Sequence, residues 1–279
     1  LRANQIKELV KGHYSKHCMV ELERLTNDPY HRLEYDTTMY FLKRYLPKRG
    51  SVLDAGGGPG SYTIVLAKMG YDVTLVDLTP KLLEMAERHV RKAKVEGKVK
   101  NVIEGSIDDL SMFKDDSFDA VICLGGTLGH LTRKRLRQKA ADELIRVAKC
   151  NAPIFVSVIG RLAILMNTVV YLWPELKKAP DIWRKYVTIG DYFGGYGFTA
   201  CHFYIPEELR AEFEGRVRMI ATVGLEGIFS THEKEYNKVY KLGKYNETLW
   251  DMHLKTCTNP SVVEISEHFM MICKKLASP

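Results

Sequence analysis

The sequence predicts an α/β fold: a mostly parallel, seven-stranded sheet with helices on both faces. Three observations carry that prediction. Short apolar runs alternate with helical stretches from residue 51 onward, at the spacing of right-handed βαβ units. The predicted strands are near-continuous apolar runs, as a sheet covered on both faces requires. A glycine-rich turn joins the first strand to the helix that follows it.

The elements follow in order. Residues 2–46 carry helical spacing, with a turn signal at Thr26-Asn27-Asp28-Pro29. Pro47-Lys48-Arg49-Gly50 breaks the pattern, and SVLDA follows as a buried strand. SYTIVLAKMG reads as a helix ended by Gly70, and YDVTLVD as the second strand. Thr79 suits a cap position and Pro80 a first helical position, opening a helix that runs to about Gly97. VKNVIEG, FDAVICLG and PIFVSVIG read as strands three to five, with the helix RLRQKAADELIRVAKC between the last two. RVRMIATVGLEGIF and EHFMMICKK would complete the sheet. This divides the chain into a helical cover (1–46), a core (47–160 and 206–279) and two insertions within the same domain (161–205 and 231–266). Both insertions are rich in aromatics: Tyr171, Trp173, Trp183, Tyr186, Tyr192, Phe193, Tyr196 and Phe198 in the first, Tyr236, Tyr240, Tyr245 and Trp250 in the second.

Composition narrows the class. With 279 residues, 46% of them hydrophobic and 27% charged, the chain suits one globular domain with elaborations rather than a disordered segment. The opening LRANQIKELVKGHYSKH lacks the apolar core of a secretory signal, and the start at Leu1 leaves room for a segment upstream. The six cysteines form no CxxC pair and several sit in apolar runs, which argues for reduced thiols, a cytoplasmic setting and no zinc site. The stretch Ile154–Trp173 is the most membrane-like, but Arg161 and Asn167 interrupt it and Gly160-Arg161 reads as a strand-to-helix break; no membrane span is expected. The net charge of +7 concentrates in Arg88–Lys100 and Thr132–Lys139. Both read as helices with a solvated basic face. No aromatics interleave with the cations, so a nucleic-acid partner is the less favoured reading.

The loop Asp54-Ala55-Gly56-Gly57-Gly58-Pro59-Gly60 carries the strongest functional signal. Glycine serves where a backbone turns sharply and approaches a ligand without a Cβ in the way. In open α/β sheets the ligand crevice lies beyond the carboxyl ends of the strands. A phosphate loop of the GxxxxGK type is excluded because the lysine is missing. The dinucleotide pattern GxGxxG fails at Ser61 and Thr63. A ligand-free tight turn would not need five consecutive glycine or proline residues. Asp77 closes the second strand seventeen residues after Gly60, where an acid suits the two hydroxyls of a ribose.

VLDAGGGPG, with Asp77 in VTLVDLTP, resembles the first motifs of the class I S-adenosylmethionine-dependent methyltransferases, over roughly Arg49–Gly160 and more loosely over the last two strands. The resemblance implies a Rossmann-like sheet with an inserted helical and aromatic lid, and S-adenosylmethionine as cofactor, with S-adenosylhomocysteine as product. It places Asp54 and the backbone of Ala55, Gly56 and Gly58 at the amino-acid end of the cofactor. Asp77 falls at the ribose, Leu78 on the adenine, Ser106 and Ile107 at the adenine edge, and Leu124 and Gly125 beside the methionine portion. Ser106 departs from the aspartate common in the family, so Asp108 or the Ile107 amide is the alternative there. An N-terminal helix closes over the cofactor in related enzymes, which makes Tyr14 a candidate contact.

Methyl transfer needs alignment of the acceptor and exclusion of water, and a base only when the acceptor must lose a proton early. The histidines His130, just past the fourth strand, and His202, in ACHFY, are the candidate catalytic groups; His13, His17 and Glu226 are weaker ones, and each has a plain structural alternative. Where family members that methylate base amines carry (N/D)PP(Y/F), this chain has Leu124-Gly125-Gly126-Thr127. The aromatic lid suits a small or medium-sized acceptor, methylated on O or N. An RNA or protein methyltransferase using the basic helices, and a non-catalytic nucleoside-binding member, stay open as alternatives.

Overall fold

The computed structural model describes residues 2–194 and 198–277. The chain begins with three helices, α1 (Ala3–Lys16), α2 (Cys18–Glu23) and α3 (Pro29–Tyr45). Asp28 starts the third: its carboxylate accepts from the Tyr30 and His31 amides, and Pro29 needs no donor at the first position. The alternating section follows as β1 (Ser51–Ala55), α4 (Ser61–Lys68), β2 (Asp72–Asp77), α5 (Pro80–Ala93), β3 (Val99–Glu104), β4 (Ala120–Cys123), α6 (Lys134–Val147) and β5 (Pro153–Ile159).

The first insertion holds α7 (Arg161–Val170), α8 (Trp173–Lys178), α9 (Pro180–Ile189) and a small antiparallel pair, β6 (Asp191–Phe193) with β7 (Ala200–His202). Then come α10 (Pro206–Phe213), β8 (Val217–Gly224), α11 (Glu233–Tyr240), α12 (Asn246–Thr256), α13 (Pro260–Glu264) and β9 (His268–Lys275). Within Tyr192–Tyr204, where glycines alternate with aromatics, Gly195, Tyr196 and Gly197 lie outside the described residues.

The seven strands are ordered β3-β2-β1-β4-β5-β9-β8, with β9 antiparallel to both neighbours and the other pairs parallel. Strand order reverses between β1 and β4, so their carboxyl ends open the crevice that such sheets use for ligands. The two faces of the sheet anchor separate cores. Leu53, Val121, Val156 and Met271 pack with α6 on one side; Val52, Ile122, Phe155 and Ile272 pack with α3 and α4 on the other. Successive residues of β1, β4, β5 and β9 are therefore buried on opposite faces, which explains their near-unbroken apolar runs, while the edge strand β3 has no buried residue.

Thr79 holds the expected cap position, with Pro80 first in the helix, but makes no side-chain cap bond; its amide donates to the Asp77 carboxylate. Two local expectations change. Helix α5 ends at Ala93 rather than near Gly97: Lys94 takes the left-handed conformation that terminates it. On α6, Arg137 is not part of a solvated basic face; it is buried, paired with Glu212 at 2.8 Å and bonded to the Thr132 carbonyl. Among the described residues no helix is long and apolar enough to cross a membrane.

Candidate active site

The turn after β1 is built from backbone bonds. The Gly56 and Gly57 amides both donate to the Val76 carbonyl of β2, at 2.7 and 3.2 Å. Gly56 has φ +80°, and a Cβ there would stand 2.2 Å from the Thr127 side chain. At Gly57 a Cβ would stand 2.6 Å from the Asp54 carboxylate. Steric exclusion from two sides accounts for the paired glycines.

Two buried carboxylates organise the turn. Asp54 accepts from the Thr63 hydroxyl at 2.6 Å, tying the end of β1 to α4. Asp77 accepts from the Gly58 amide at 3.0 Å through one oxygen and from the Thr79 amide at 2.8 Å through the other. It thus staples the glycine loop to the start of α5. Burial pushes both acids up to about 6; neighbouring charge adds to the rise at Asp54, and the two amides oppose it at Asp77. Asp77 lines the crevice, and a carboxylate has acceptor capacity beyond these bonds for a further donor.

A crevice of about 970 Å³, counting its open part, runs along these strand ends beneath α1 and α2. Of the predicted cofactor residues, Tyr14, Asp54, Gly56, Gly58, Asp77, Leu78, Ser106, Ile107, Leu124 and Gly125 line it. Ala55 is buried beneath the loop and is not part of the lining. Asp108 is turned away from the crevice to Lys7, at 2.7 Å, and accepts from the Ser106 hydroxyl, so Ser106 and Ile107 face the space and Asp108 braces them.

The two predicted catalytic histidines have different surroundings. His130 lines the crevice, with both ring nitrogens engaged. Nδ1 lies 2.8 Å from the Ala200 carbonyl, which only accepts, so Nδ1 carries the proton; Nε2 then accepts from the Tyr14 hydroxyl at 2.8 Å. Burial holds the His130 pKa down at about 4, so the ring is neutral. His202 lies in neither cavity: it is 3% exposed, between Asp191 at 2.6 Å and Glu208 at 3.2 Å, beside the Arg161–Glu208 pair. His13 packs against His17 and Phe198 on the cover.

Sequence reasoning did not single out Arg24, Glu21 or Lys7, which line the crevice from the cover. Arg24 donates through Nε to Glu21 and through Nη1 to Glu34, while its Nη2 would stand 3.3 Å from a Cβ on Gly125. Behind it, Glu34 faces His268 at 3.7 Å, and Glu226 accepts from the His268 ring at 2.7 Å and from its amide at 2.7 Å. Glu226, a weak candidate above, therefore belongs to a buried ion cluster. A second cavity of about 700 Å³ lies on the other side of this cluster, between the ends of β5 and β9 and the first insertion. Ile159 of this second lining packs where a Cβ on Gly126 would stand, at 3.1 Å, and Gly126 follows Gly125 of the crevice. The insertion 231–266 packs elsewhere, with Tyr236 against Tyr30 and Leu33 of α3.

Comparison with known proteins agrees with this geometry. The family described as a methyltransferase domain matches residues 52–151, from β1 to just before β5. A ubiquinone biosynthesis O-methyltransferase of Xylella fastidiosa is 33% identical over 198 residues, covering 69% of this chain and 78% of that protein. The chain belongs to the class I S-adenosylmethionine-dependent methyltransferase family. Membership of that family implies S-adenosylmethionine as cofactor. A glycine/sarcosine N-methyltransferase of Parasynechococcus marenigrum is 36% identical over 116 residues, 40% of this chain and 39% of that protein. The chain thus spans about two fifths of that relative's length, and the same share of the Xanthomonas axonopodis ubiquinone biosynthesis O-methyltransferase. A methyltransferase structure from Methanosarcina mazei shares the fold, with a TM-score of 0.58 at 19% identity over 85% of this chain and 98% of that one.

Proposed function

We propose that this protein transfers a methyl group from S-adenosylmethionine to an oxygen or nitrogen atom of a small or medium-sized molecule. The observation that carries the reading is the crevice at the switch point of the sheet, where the buried Asp77 carboxylate lines the space beside the glycine turn. The residues present fit the cofactor. Asp77 would accept from the ribose hydroxyls. Leu78 and Ile107 offer apolar surface for the base, with Ser106 at its edge. Arg24, with Nη2 at Gly125, suits the carboxylate of the amino-acid end, and Asp54 and Glu21 suit its ammonium. When bound, S-adenosylmethionine supplies a methyl carbon made electrophilic by its cationic sulfur.

The chain's own contribution is positioning and exclusion of water. Helices α1 and α2 roof the crevice, anchored by the Lys7–Asp108 and Lys11–Glu104 pairs. His130 is a positioning residue in this reading: by accepting the Tyr14 proton it turns the phenol oxygen's lone pairs toward the crevice. His202, bound between two acids away from both cavities, holds β6 and β7 to α10.

The reading is tested by incubating the protein with a cell extract and cofactor labelled at its methyl group. Label in a metabolite is expected. Label confined to RNA or protein would overturn the choice of acceptor, and calorimetry showing no binding of millimolar S-adenosylhomocysteine would remove the cofactor.

A further inference from the structure

The second cavity has a composition unlike that of the crevice. Its walls are largely apolar and aromatic, formed by Ile159, Leu172, Trp183, Tyr192, Phe198 and Phe203. Ile159 and His268 make its floor, at the edge of the sheet where the crevice also opens, and α7, α8 and α9 with the β6–β7 pair make its roof. Against these walls stand three polar groups whose bonding capacity is unspent.

The first is the Trp183 indole. Trp183 is 5% exposed, and its Nε1–H is buried with no acceptor among the described residues. The second is Asn167. Its amide donates to a Glu267 carboxylate oxygen at 2.8 Å, which settles its orientation because a carboxylate only accepts. Asn167 Oδ1 is thereby left buried and without a donor. The third is His268. Its Nδ1 serves Glu226, and the Glu226 and Glu34 carboxylates hold the ring cationic, so Nε2 also carries a proton; no described residue accepts it. A buried donor or acceptor left unmade costs about 1–3 kcal/mol. Trp183 Nε1 and Asn167 Oδ1 in one apolar chamber therefore mark where a ligand completes the bonding, with the half-buried His268 beside them.

The charges limit what that ligand is. Arg24 and His268 are balanced within the fold by Glu34 and Glu226, and the Glu267 carboxylate already takes the Asn167 amide. Glu175 also lines the chamber; burial raises its proton affinity, against a hydrogen bond with Tyr192 that lowers it. No uncompensated cation is left to hold a carboxylate or phosphate, and a cationic ligand would face His268. We infer that the methyl acceptor occupies this chamber and is an uncharged, flat, mostly apolar molecule of the phenol or quinol class. One oxygen accepts from Trp183 and His268, and one hydroxyl donates to Asn167. The inference rests on the methyl-transfer reading for the word acceptor, and on the chamber alone for the class of ligand.

Three probes test it without cofactor: methyl 4-hydroxybenzoate, an uncharged phenol; 4-hydroxybenzoate, its anionic counterpart; and toluene, which has the ring and no polar group. Binding is read by saturation-transfer NMR and calorimetry on the full chain. The uncharged phenol is expected to bind saturably and at least ten-fold tighter than either of the others. Trp183→Phe, which keeps the ring and loses the donor, and Asn167→Leu, which loses the acceptor, should each weaken it about ten-fold. Neither should change affinity for S-adenosylhomocysteine, which also reports that the variants are folded. No saturation by millimolar phenol, equal binding by both variants, or tighter binding of the anion would each overturn the inference. A protein that takes the phenol but not S-adenosylhomocysteine would keep the chamber and sink the methyl-transfer reading.

Discussion

The two cavities at the carboxyl ends of the parallel strands are built on opposite principles. In the crevice the polar groups are largely satisfied before any ligand arrives: Asp54 by Thr63, Asp77 by two amides, His130 by Ala200 and Tyr14. What is offered to a ligand is the remaining acceptor capacity of a carboxylate whose position the loop has already fixed. In the chamber the polar groups face apolar walls with their bonding incomplete. The first arrangement suits a fragment that every turnover brings back; the second suits a molecule that must be told from others, because a missing partner is penalised there.

Removing the staple breaks that contrast most sharply. Asp77→Ala deletes the acceptor for the Gly58 and Thr79 amides together with the proposed ribose contact. Losing about 3 kcal/mol of charge-assisted hydrogen bonding corresponds to a roughly 100-fold weaker affinity for S-adenosylhomocysteine by calorimetry. Binding of methyl 4-hydroxybenzoate should be unmoved, since Asp77 lines only the crevice. If both affinities fell together, the cavities would not be independent.

A smaller effect follows from the buried acids. With Asp54 and Asp77 both raised to about 6, each gains a proton as the pH falls through that value. A protonated Asp77 offers fewer lone pairs to ribose hydroxyls and gives up part of its hold on the loop. Affinity for S-adenosylhomocysteine should therefore be flat above about pH 7 and fall up to about ten-fold per unit below 6. Calorimetry from pH 7.5 to 5 checks the slope. Affinity unchanged down to pH 5 would mean that neither carboxylate needs its charge to hold the ligand.

The same contrast decides how much was legible in the sequence. The floor of the crevice is largely contiguous in the chain: a strand, a glycine turn and an acid closing the next strand lie within Val52–Asp77, so local steric rules expose it. The central strands were readable because both faces of the sheet are covered there, which turns them into near-continuous apolar runs. Arg24, Glu34, Glu226 and His268 lie up to 244 residues apart and meet only through the fold; no local pattern signals them. Trp183 stood out among the aromatics of the first insertion, but its unpaired indole depends on how α9 packs. Arg137 misled for the same reason, since a cation in TRKRLRQK gives no sign that Glu212 will receive it. Both histidines drew attention as bases. The partners of His130, Ala200 and Tyr14, lie 70 and 116 residues away. Asp191 and Glu208, which hold His202, lie within 11 residues of it but show no helical or strand spacing that would pair them.

The ion cluster between the cavities gives the most modest effect and the most specific one. Burial alone would lower the His268 pKa, but the Glu34 and Glu226 carboxylates outweigh it and hold it at about 9, above the 6.5 of a free histidine. A folded-state pKa above the unfolded one stabilises the fold fully below about pH 6.5, and that stabilisation is lost as the pH rises through about 9. Melting of the protein should thus occur on the order of 5 °C lower at pH 9.5 than at pH 7 through this group. His268→Asn, which keeps a donor near Nδ1 but cannot carry charge, should melt lower at pH 7 and lose less on going to pH 9.5. The difference between the two slopes isolates His268 from the lysines and tyrosines that titrate in the same range. Parallel slopes would show that the Glu34–His268–Glu226 cluster is held by packing rather than by charge.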